Sequence, residues 1–84
     1  MTVVAVETAG LESVDLVLDL IERLAGSPRA LGVSEIARDL SISKARAHRH
    51  LRALVGRGYA RQDAATERYE IGARLLPLGE MARE

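Results

Sequence analysis

Apolar residues in the first part of the chain return every three or four positions. Val14, Val17, Leu18, Ile21, Leu24 and Ala25 follow Ser13, a residue type suited to capping a helix, so the spacing predicts a first helix. Asp15 in its first turn and Arg23 in its last complement the helix dipole, and Gly26, Ser27 and Pro28 stop it. A second helix of about two turns is predicted from Val33 to Leu40. Gly32 is its N-cap, Glu35 its third residue, and Ile36, Ala37 and Leu40 its inward positions. Ser41 and Ile42 form a tight turn. Ser43 then caps a third helix from Lys44 to about Val55, ended by the Gly56, Arg57, Gly58 stretch.

From Tyr59 the period changes to two. Tyr59, Arg61, Tyr69 and Ile71 alternate with Ala60, Gln62 and Glu70 on either side of the polar stretch Asp63 to Arg68, which predicts a β-hairpin closed by Gly72. A further apolar-rich helix around Leu75, Leu76, Leu78 and Met81 follows, with Pro77 expected to kink or restart it. Three helices followed by a hairpin predict a mainly α fold of the winged helix-turn-helix type, with residues 13–72 as the domain. Residues 1–12 read as a flexible N-terminal segment and residues 73–84 as the start of a linker helix.

Composition narrows the chemistry. A chain of 84 residues holds one small domain, and without Phe, Trp or Cys its core must be built from Leu, Ile, Val and Ala. The lack of cysteine removes disulfides, thiolate metal sites and cysteine nucleophiles. His48 and His50 stand two apart and point to different sides of a helix, so no metal and no cofactor is expected. Gly56 to Gly58 leads from a helix into a strand, the wrong order for a phosphate-binding loop. So small a chain supplies no deep pocket in which Ser, His and Asp could be oriented, and no enzyme is expected. Residues Met1 to Ala9 have too short an apolar stretch and no preceding positive charge for a signal peptide or membrane span, so a cytoplasmic protein is expected.

Charge is segregated although the total is zero. Residues 1–39 carry a net −4, residues 40–62 a net +6 without a single acid, and residues 63–84 a net −2. The basic block coincides with the third helix. In a helix-turn-helix the small Ala37 suits the helix crossing, while Ile36, Leu40, Ile42, Ala47, Leu51 and Leu54 fall inward. Ala45, Arg49 and Arg52 are then outward, flanked by Arg46 and His48 near the Ser43 cap. Such a helix presents guanidinium forks to the major groove, where Arg donates to the two acceptors of guanine. Lys44, Arg57 and Arg61 are better placed for phosphates, and Arg61 and Arg68 put the wing along the backbone or minor groove. The expected partner is double-stranded DNA. The alternative is a protein-interaction module that keeps the winged fold without binding DNA.

The SEIA segment, the KARAHRHL helix, the RGYARQD entry to the hairpin and the RYEIGARLLPLG exit occur in order across residues 13–80. Together they resemble the N-terminal domain of IclR-type transcription regulators. That resemblance implies a homodimer binding a palindromic operator, with metabolite sensing in a separate C-terminal domain, so no effector is expected on this segment. Three departures from the family pattern stand out. Ser41 replaces a turn glycine and is expected in a left-handed conformation. His50 replaces Leu and needs a hydrogen-bond partner or a place at the core's edge. Ala45, Arg46 and Ala47 replace small hydroxyl and β-branched residues.

Overall fold

The computed structural model describes residues 12–83. Its elements run α1 (Glu12–Ala25), α2 (Val33–Asp39), α3 (Lys44–Arg57), β1 (Ala60–Gln62), β2 (Tyr69–Ile71) and α4 (Leu75–Ala82). The expected segment 1–12 thus falls almost wholly outside the described residues. Glu12 already belongs to α1, so Ser13 lies in the first turn rather than at the cap position.

The core-facing row of α1 is Leu16, Leu20 and Leu24, with Val17 and Ile21 packed at its margin. This differs from the periodic set read from the sequence. Val14 and Leu18 are about half exposed, at 54% and 50%, because α1 carries apolar residues on two faces and only one can meet the core. Ile36 and Ala37 of α2 and Ala47, Leu51 and Leu54 of α3 complete the helical part of the core, and Leu40 and Ile42 pack against it.

Helix ends follow their local chemistry. The Ser43 hydroxyl accepts the Arg46 amide at 3.0 Å and so caps α3. Gly32 occupies the N-cap of α2 without a side-chain bond. α3 runs past Gly56 and stops at Gly58, whose φ of 83° is open to glycine at little cost. There the Gly58 amide donates to the Val55 carbonyl and the Tyr59 amide to the Leu54 carbonyl, the paired bonds of a Schellman ending. Ser41 takes the left-handed conformation, φ 57°, between α2 and α3.

β1 and β2 pair antiparallel in the register Ala60 with Ile71, Arg61 with Glu70 and Gln62 with Tyr69. Ala60 and Tyr69 face the core while Arg61 and Glu70 face away. Leu31, read from the sequence as loop, exchanges backbone bonds with Tyr69 at 2.8 and 2.7 Å and is fully buried. It ties the α1–α2 connection to the hairpin. Gly72 closes the wing against the end of α3, where a Cβ would collide with the Gly58 carbonyl oxygen. Pro77 neither kinks nor restarts α4. It is the third residue of that helix, in the turn whose amides have no intrahelical acceptor.

Candidate nucleic-acid interface

Successive residues of α3 are rotated by about 100°, so Ala45, Arg49 and Arg52 fall on one stripe. All three are exposed, directly opposite the buried row of Ala47, Leu51 and Leu54. Lys44, His48 and Arg57 are exposed at its margins. Arg46 is half-buried, and its carbonyl accepts a hydrogen bond at 2.9 Å from Nδ1 of His50, the residue one turn further on. That bond satisfies the half-buried imidazole and requires the proton on Nδ1. The exposed Ser43 hydroxyl caps the N-terminal end of α3, where it accepts the Arg46 amide.

Ion pairing divides the cations into two classes. Arg23 donates to Asp39 Oδ2 at 3.0 and 2.8 Å, Arg29 grips both oxygens of Glu35 at 3.0 and 2.6 Å, and Arg61 binds Glu70 Oε1 at 2.8 and 2.6 Å. Glu35, expected at the head of α2, is thus held by Arg29 rather than reaching back to the N-cap, and its carboxyl is kept below the usual range. Among the described residues, Lys44, Arg46, Arg49, Arg52, Arg57 and Arg68 have no carboxylate within salt-bridge distance. The cations of α3 therefore remain uncompensated, with no acid in the helix itself.

The wing differs from its sequence reading in one respect. Arg61 is engaged across the hairpin by the directly opposite Glu70, so the two bases assigned to the wing are not equivalent. Arg68 lies just before β2, at the end of a tip built by Asp63. The Asp63 carboxylate accepts the Ala65 and Thr66 amides at 2.8 and 2.9 Å, and these bonds depress its pKa. Glu67 completes the tip with φ 62°, and its amide donates to the Asp63 carbonyl. Among the described residues, two exposed arginines without an ion-pair partner lie outside the set read from the sequence: Arg38 on α2 and Arg74 ahead of α4. Both lie outside the acid-free block that drew attention to α3.

An uncompensated basic helix on a helix-turn-helix scaffold can enter a duplex groove, and comparison with known proteins supplies the context. The IclR helix-turn-helix domain matches residues 13–64, more than half of the chain. The glycerol operon regulatory protein of Streptomyces coelicolor is 42% identical over 69 residues, 82% of this chain and 27% of that protein. An IclR transcriptional regulator from Alicyclobacillus acidocaldarius superposes with a TM-score of 0.79 at 32% identity, covering 84% of this chain and 29% of that one. HmgR of Pseudomonas aeruginosa does so with a TM-score of 0.75 at 32% identity over the same shares. The chain thus spans less than a third of each of these relatives. It belongs to the IclR helix-turn-helix family, whose members are DNA-binding transcription regulators and not enzymes.

Proposed function

We propose that the chain is the operator-reading domain of an IclR-like regulator, acting as a homodimer on a palindromic site in the cytoplasm and working as a repressor. The observation that carries this reading is the charge state of α3. Among the described residues its cations have no acid partner, while the arginines of α1, of the α1–α2 connection and of β1 are each held by one. A free guanidinium can exchange its water for a phosphate or a guanine edge, whereas a paired one must first give up its carboxylate. Arg49 and Arg52 then read bases from the exposed stripe, with Ala45 beside them offering a methyl to thymine. Ser43, Lys44, Arg46, His48, Arg57 and Arg68 contact the backbone or flank the readout. Arg61 joins them only by leaving Glu70. Residues 13–72 form the reading unit, and residues from 73 onward begin the linker.

Purified domain titrated against a random duplex library, followed by mobility shifts on the selected site, tests the assignment. Arg49→Ala is expected to relax preference at one operator position by about 1–3 kcal/mol, whereas Arg57→Ala weakens selected and random duplexes alike. With about six phosphates neutralised by a dimer, log K should fall against log salt with a slope of about −5. Equal losses on both duplexes for both variants would overturn the division of roles. Binding that ignored salt and DNA would favour the protein-interaction reading.

A further inference from the structure

α2 has two exposed flanks of opposite character. Glu35 and Asp39 are one turn apart and share a flank, and it is turned toward α1, because Arg23 of α1 reaches Asp39 and Arg29 of the connecting loop reaches Glu35. Ser34 and Arg38 are also one turn apart and share the other flank, both exposed. At about 100° per residue that second flank borders Ala37, the buried residue whose carbonyl accepts the Ile42 amide in the turn to α3. The Arg38 carbonyl accepts the Ser41 amide at 3.2 Å, which places residue 38 at the same turn. Among the described residues Arg38 has no acid within ion-pair distance, although Asp39 is its chain neighbour and Glu35 is three residues away.

We infer that Arg38, with the Ser34 hydroxyl beside it, is a phosphate-binding residue of the DNA interface, and that Arg23 and Arg29 keep the two α2 carboxylates from neutralising it. The inference rests on the DNA-binding reading above and adds α2 to an interface otherwise confined to α3 and the wing. A guanidinium that flanks the recognition helix meets the sugar–phosphate rail rather than base edges, since the first helix of the motif crosses the backbone. It therefore adds affinity and register without sequence preference. The neighbouring carboxylates would repel the same rail, and their arginine partners remove that repulsion at its source.

Mobility shifts with the domain on its selected duplex test this in two steps. Wild-type binding that falls with salt must be seen first; its absence would sink the DNA-binding reading, and this inference with it. Given that binding, Arg38→Ala is expected to weaken selected and random duplexes equally, on the order of tenfold, and to flatten the salt slope by about 1 per copy. Arg38→Lys should restore most of the slope, since a point charge still meets a phosphate. Duplexes carrying one neutral methylphosphonate at a time should reveal a position in each half-site that weakens the wild type by the same factor and leaves Arg38→Ala unaffected. A variant that binds like the wild type, or whose loss is tied to no single phosphate, would overturn the inference. Because Arg38 is exposed, a circular dichroism spectrum matching the wild type is expected and separates lost contact from lost fold.

Discussion

Tyr69 carries the inward face of the hairpin into the core, and its hydroxyl is buried without a hydrogen-bond partner among the described residues. Burial pushes the phenol above its ordinary pKa, against the opposing pull of the Arg52 charge. The ring supplies apolar contact with the Leu-rich core, whereas the hydroxyl has lost its water and received nothing in return. Removing it should help. Tyr69→Phe is expected to stabilise the domain by about 1 kcal/mol, a rise in Tm of about 4–8 °C for a chain of this size. An unchanged or lowered Tm in a thermal melt would mean that the hydroxyl is hydrogen-bonded to a bound water. Asp63 acts in the opposite sense. The Thr66 and Ala65 amides favour its ionised form, so its folded pKa lies below the unfolded value. The stability this supplies is present above the unfolded pKa, near 3.9, and is lost as pH falls through the folded value. Asn at this position can still accept both amides but cannot be protonated in that range. Lacking the charge that these bonds favour, Asp63→Asn is expected to be less stable than the wild type at pH 7 and to converge with it as pH falls from 4 to 2, measured by urea melts across that window. Parallel acid profiles for the two proteins would rule the tip carboxylate out as a contributor.

At the scale of elements, legibility followed the strength of local signals. α3 could be read almost to its ends because an N-cap serine, a clean 3.6 period and a glycine stop agree, and the error at its C-terminus was a choice between Gly56 and Gly58. Only the second needs a positive φ. α1 was placed but not oriented. Its apolar residues cover two faces, and the choice of Leu16, Leu20 and Leu24 as inward is made by the distant core, with β2 of the hairpin packed against the helix, which no local window contains. The bridge between Leu31 and Tyr69 was invisible for a related reason, since one residue pair has no period. Pro77 misled because the start of α4 at Leu75 depends on the turn from Gly72, where the Leu75 amide meets the Gly72 carbonyl. The candidate interface was legible as a run of bases without acids. What could not be read was which bases are free. Pairing of Arg61 with Glu70 depends on hairpin register, and the freedom of Arg38 depends on where two distant arginines reach.

At the scale of the whole molecule, one copy has one recognition helix and extents of 45 × 30 × 22 Å. On the proposed reading, two copies must place their α3 helices about one duplex turn apart, roughly 34 Å, the spacing a two-fold site requires. The apolar surface that the core leaves over is found on α1, where Ser13, Val14, Val17 and Leu18 line an open depression, and on α4, where Leu76 and Met81 are 71% and 81% exposed. Such side chains are suited to a contact between copies, and coupling two half-sites through that contact would multiply two weak affinities into a useful one. Leu18→Glu tests the coupling, because Leu18 is half exposed and a carboxylate there can stay in water without disturbing the core. The wild type is expected to bind a duplex with two half-sites at least about tenfold more tightly than one with a single half-site, about 1.4 kcal/mol of coupling. The variant should bind both equally and sediment as a monomer at concentrations where the wild type is dimeric, with an unchanged circular dichroism spectrum. A wild type that gains nothing from the second half-site would show that the copies bind independently and that the apolar faces of α1 and α4 meet something other than each other.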